Sequence, residues 1–123
     1  MRATKLICLG FAALFALAGT SSGRDAREQK RIDFLIDGLG NFPGAVFIRN
    51  GTEYKAADAQ NHLRQKLNYG GDHVKTAEDF IKYCASASSM SHKPYRIRFA
   101  DGRTVETATF FAERLKEFDA RSN

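Results

Sequence analysis

Ala45 to Tyr54, AVFIRNGTEY, decides the fold. Val46, Phe47 and Ile48 are strand formers, and Asn50-Gly51 follows them almost at once. Asn-Gly between β-rich runs is the strongest short hairpin signal, because a type I′ turn needs positive φ at both central residues. A two-residue loop there sets Arg49 opposite Thr52 and Phe47 opposite Tyr54. Phe47 and Tyr54 then meet as a cross-strand aromatic pair, with Arg49 on their face.

A second hairpin pattern follows downstream. Tyr95 to Phe99 (YRIRF) alternates cleanly, and Asp101-Gly102 reads as another two-residue turn. With that turn, Arg96, Arg98 and Arg103 fall on one face and Tyr95, Ile97, Phe99 and Thr104 on the other. Hairpins are seldom stable alone, so the two are expected to join one antiparallel sheet.

Helical periodicity fills the rest. Between Arg24 and Leu39, Ile32, Leu35, Ile36 and Leu39 form one face, with Arg27, Lys30, Arg31, Asp33 and Asp37 largely elsewhere. Gly38, Gly40, Asn41 and Pro43 end that helix. A second helix runs from Ala57 to about Asn68, with Ala56, Ala59, Leu63 and Leu67 as its apolar line and Gly70-Gly71 as its stop. Thr76 to Asp79 resembles a capping box with Asp in place of Glu, opening a third helix through Ala87. A last helix covers roughly Ala108 to Ala120, striped by Phe111, Leu115 and Phe118. The expected class is α+β: two short β-hairpins in one antiparallel sheet packed by about four helices. Ile-Arg, a glycine turn, a short strand and a helix occur twice, from Ile48 and from Ile97, which suggests a degenerate ββα duplication.

The start of the chain reads as an address. Arg2 and Lys5 precede an uncharged run, Leu6 to Ala18, whose helical length of ~20 Å falls short of a bilayer core. Ala16-Leu17-Ala18 offers a cleavage site, so residues 1–18 are read as a signal peptide, with cleavage as late as 23. The expected mature chain is a single α+β domain, 24–123, periplasmic or secreted, with no transmembrane segment. The formal net charge is +5, and Arg2 and Lys5 belong to the leader. So mild a balance, with no dense Lys/Arg tract, argues against nucleic acid. Cys8 also leaves with the leader, so Cys84 has no internal disulfide partner and packs as a small hydrophobe.

The segment from Phe47 to Arg98 resembles a bacterial family of small exported proteins of unknown function. The resemblance lies in Phe47-Ile48-Arg49-Asn50-Gly51, Tyr54, His62-Leu63-Arg64 and Lys66. It continues through Val74 to Ile81, Ser88-Ser89, Ser91, Pro94-Tyr95 and Ile97-Arg98. The family pattern has glycine where this chain has His92, and tryptophan in the last helix where this chain has Phe110-Phe111. The resemblance implies an exported α+β domain and brings no settled activity.

Several residues have the chemistry of a site. Arg49, Arg64, Arg96 and Arg98 carry guanidinium forks suited to carboxylate or phosphate, unless they pair with Asp58, Glu53 or Glu106. His62 lies four residues after Asp58, a spacing that serves general-base chemistry or an ordinary helix pair. Ser86, Ser88, Ser89 and Ser91 lie beside His92 without a G-x-S-x-G elbow, and close a turn or contact a ligand. His62, His73 and His92 show no metal-ligand spacing, so neither metal nor cofactor is expected. The expected function is a non-enzymatic module binding an envelope protein or an anionic ligand. Its expected surface is Arg49, Tyr54, His62, Arg64, Ser89, Ser91, Tyr95 and Arg98. The alternative is a small periplasmic hydrolase with Ser89 or Ser91 as nucleophile and His62 as base, which needs those groups within hydrogen-bond reach.

Overall fold

Asn50 and Gly51 adopt φ of 52° and 78°, the left-handed pair that a type I′ turn requires. This turn joins β1 (Val46–Arg49) to β2 (Thr52–Tyr54), with Phe47 opposite Tyr54 and Arg49 opposite Thr52. The computed structural model describes residues 24–122, and the expected leader lies outside the described residues. In chain order, α1 (Ala26–Asp37) precedes this hairpin, and α2 (Ala56–Gly70) and α3 (Ala77–Cys84) follow it. They are succeeded by β3 (Arg96–Arg98), β4 (Thr104–Glu106) and α4 (Thr107–Ser122). The fold is α+β. The four strands form one antiparallel sheet ordered β2-β1-β3-β4, so the hairpins meet along β1 and β3.

Phe47 pairs with Ile97 at the centre of the sheet, and both are buried against the helices. Ile32, Leu35 and Ile36 of α1, Phe80 of α3 and Phe111 of α4 complete the core and are at most 2% exposed. Glu53, Arg96, Thr104 and Glu106 face solvent on the opposite side of the sheet. No described helix is long and apolar enough to cross a membrane.

The second hairpin differs from the sequence expectation by one residue. Arg98 pairs with Thr104, and the Phe99 amide donates to the Arg103 carbonyl at 2.8 Å. Ala100, Asp101 and Gly102 thus form a three-residue loop, with Gly102 at φ 92°. One extra loop residue exchanges faces. Thr104 joins Arg96 and Arg98, while the Arg103 guanidinium sits 4.5 Å from the Phe99 ring centroid. The same slip corrects the repeat. Each hairpin is followed by a helix, but Phe47 rather than Ile48 corresponds to Ile97.

The predicted capping box is present. Thr76 Oγ1 accepts from the Asp79 amide at 3.0 Å, and Asp79 Oδ2 accepts from the Thr76 amide at 3.2 Å. The helix it opens ends at Cys84 rather than Ala87, because Ala87 instead bridges to Pro94. In the loop between them, Ser88 Oγ accepts from the amides of Met90 and Ser91. His92, where the resembled pattern has glycine, sits at φ 62°.

Arg31, off the apolar stripe of α1, is nonetheless only 5% exposed, where α1, α3 and α4 converge. Its guanidinium donates to Glu28 at 2.8 Å, to Glu78 at 2.9 Å and to Asp119 at 2.8 Å. Glu28 in turn accepts from the Ala77 amide at 2.9 Å. A buried cation held by several carboxylates ties three helices together and stays charged.

Candidate ligand-binding cleft

The face of the sheet that carries Phe47 and Tyr54 leaves a cleft of about 260 Å³ against α2. Helical spacing builds its far wall. Asp58, Ala59, His62 and Leu63 stand three and four residues apart and therefore share one side of α2. Arg49 and Tyr54 close one end, and Tyr95 and Arg96 at the entry to β3 and Thr107 at the start of α4 complete the border.

Two polar pairs organise it. Arg49 Nη2 donates to Tyr54 Oη at 3.1 Å, with the guanidinium carbon 5.4 Å from the Tyr54 ring centroid. The register of the first hairpin produces this pair, since Arg49 and Tyr54 project from the same face. Tyr95 forms the second. Its amide donates to Ser86 and its carbonyl accepts from Thr107, which fixes the ring beside His62. The Tyr95 hydroxyl lies 3.2 Å from His62 Nε2 and accepts from Lys66 Nζ at 3.1 Å. Lys66 donates as well to the Ala87 carbonyl at 3.2 Å.

Burial, and then the positive charges of Arg49 and Lys66, hold the His62 pKa below its ordinary 6.5. His62 is therefore a neutral imidazole at neutral pH. Among the described residues Arg49 makes no ion pair, and Asp58 is the lone carboxylate lining the cleft. An unpaired guanidinium above an apolar floor can hold an anion that carries a hydrocarbon body.

The cleft brings together Arg49, Tyr54, His62 and Tyr95 of the eight residues of the expected binding surface. It does not gather the others. Arg64 pairs with Asp33 at 2.7 Å and Asp37 at 2.9 Å, bracing α2 against α1. Arg98 pairs with Glu53 at 3.0 Å across the outer face of the sheet. Ser91 Oγ is hydrogen-bonded to Asn50 Oδ1, which ties the loop before Pro94 to the first turn. Ser89 borders a separate groove with Tyr69, Tyr83 and Cys84. Among the described residues neither serine is hydrogen-bonded to His62, and the hydrogen bond of His62 is to Tyr95 rather than Asp58. Lys66 and Thr107 were not singled out. Lys66 carried one signal, its place four residues after His62 on the same helix side.

Burial pushes the Cys84 thiol pKa up, consistent with a packing residue. Among the described residues no group of three or more His, Cys, Asp or Glu is placed to hold a metal ion.

Comparison with known proteins places this chain in a family of unknown function. No solved structure matches the chain. The uncharacterized protein YfeK of Salmonella typhimurium is 35% identical over 91 residues, which span 74% of this chain and 75% of that protein. The model of a family of unknown function, DUF5329, matches residues 26–119, from the start of α1 into α4. The chain belongs to that family.

Proposed function

We propose that the protein is an exported, non-enzymatic binding module whose ligand is anionic and occupies the cleft between the sheet and α2. The observation that carries this reading is the state of Arg49, a cleft-lining guanidinium without a carboxylate partner among the described residues, held on the Tyr54 ring. Arg64 and Arg98, by contrast, are neutralised by acidic neighbours. The leader-like residues 1–18 support a place in the envelope. The separation of Ser89 and Ser91 from the hydrogen bond of His62 favours binding over hydrolysis.

Calorimetric titration with acetate, hexanoate and inorganic phosphate tests the proposal. Saturable binding of at least one anion, lost in Arg49→Ala and kept in Arg64→Ala, is expected. Equal binding by Arg49→Ala and the unsubstituted protein would remove the cleft from consideration.

A further inference from the structure

Three hydrogen-bonding groups at the polar end of the cleft constrain one another. The Lys66 ammonium can only donate, so its 3.1 Å contact occupies a lone pair of the Tyr95 oxygen. Tyr95 is 7% exposed, and the acceptor within reach of its own proton is His62 Nε2 at 3.2 Å. The reverse order, with His62 Nε2–H donating, would leave a buried hydroxyl proton without an acceptor. In that arrangement the proton of His62 sits on Nδ1. Among the described residues that Nδ1–H has no hydrogen-bond partner, although His62 lines the cleft.

We infer that the cleft selects a small amphiphilic monocarboxylate, with Arg49 and His62 Nδ1–H as its two donors and Lys66 and Tyr95 as positioning residues that set the His62 tautomer. This rests on the anion-binding reading above. Phe47, Ala59 and Leu63 supply an apolar bed for a short hydrocarbon or aromatic body. At about 260 Å³ the space lies just under the ~300–1,000 Å³ of drug-sized sites, which limits that body to a small one. Asp58 repels a second negative charge, so a monoanion is favoured over a dianion such as phosphate. The neutral state of His62 agrees with this arrangement, because an imidazolium would have lost its acceptor for Tyr95.

Nitrogen-15 NMR of the histidine side chains, recorded on ligand-free protein, tests the positioning role without any ligand. The expected spectrum shows His62 protonated at Nδ1 and bare at Nε2, with loss of that pattern in Tyr95→Phe and in Lys66→Met. An Nε2–H imidazole in the unsubstituted protein would overturn the positioning role, and that spectrum decides even where a variant fails to fold. Titration with hexanoate, hexanamide, hexylamine and inorganic phosphate then tests the ligand class. Hexanoate alone is expected to bind, roughly tenfold or more weakly in Arg49→Gln, the worth of one charge-assisted hydrogen bond. Binding of phosphate without hexanoate would overturn the ligand class and leave the anion-binding reading standing. Binding of no anion would bring down both.

Discussion

The Tyr95 hydroxyl and the His62 imidazole meet at 3.2 Å, joining the start of β3 to the middle of α2 at the polar end of the cleft. Arg49 and Lys66 add positive charge beside that imidazole, and both lower its pKa from 6.5 after the larger effect of burial. Arg49→Gln is therefore expected to raise the His62 pKa towards 6.5, and an anion seated on Arg49 is expected to do the same. Proton NMR of the His62 ring across pH reads both shifts.

The same shift sets a pH window for stability. The folded state binds the His62 proton less readily than the unfolded chain does. Its contribution is complete above about pH 6.5 and declines as pH falls towards the folded pKa. Glu78 and Asp119 are held below the ordinary carboxylate range chiefly by their hydrogen bonds to Arg31. Their contribution persists above about pH 4 and is lost as pH falls through the folded values. Thermal melts between pH 7 and pH 3 should show two declines. Arg49→Gln should shrink the upper one, and Glu78→Gln the lower one.

Arg31→Met takes from Glu28, whose side chain is 11% exposed, its inner ion partner and leaves it the exposed Arg27 at 2.9 Å and the Ala77 amide. With Arg27 still in place the cost falls at the low end of that for a broken buried pair, about 3 kcal/mol. For a domain of this size that lowers Tm by more than about 10 °C, given ~4–8 °C per kcal/mol. Adding Glu28→Gln removes the half-compensated charge, keeps an acceptor for Ala77, and should recover part of the loss in a thermal melt.

His92 at φ 62° carries the cost of a left-handed conformation on a residue with a Cβ, about 1 kcal/mol. His92→Gly should therefore raise Tm by several degrees, whereas His92→Ala, which keeps the Cβ, should not. Chemical denaturation of the two variants separates this backbone effect from any role of the imidazole.

The first hairpin was legible to the residue because Asn50-Gly51 sets the loop length by local backbone geometry alone. Asp101-Gly102 was not, since the same dipeptide serves a two-residue turn and the end of a three-residue one. The choice turned on the Phe99–Arg103 bond. Periodicity found the core stripe of α1 and put Arg31 off it without showing its burial, because helical spacing carries no trace of Glu78 and Asp119 many residues away. The cleft was half legible. Residue type marks Arg49, Tyr54, His62 and Tyr95 as able to bind. Whether an arginine is free or paired depends on tertiary neighbours, which separates Arg49 from Arg64 and Arg98. Lys66 escaped for the same reason, its partner lying 29 residues further along.

The most direct test of the cleft is a map of backbone amide shifts during titration with hexanoate. The account predicts saturable shifts centred on Phe47, Arg49, Ala59, His62 and Tyr95, with Arg64 and Arg98 quiet and the pattern in Arg49→Gln reached only at roughly tenfold or more hexanoate. Shifts centred on Arg98 or Arg103, or no saturable shifts with any anion, would contradict it.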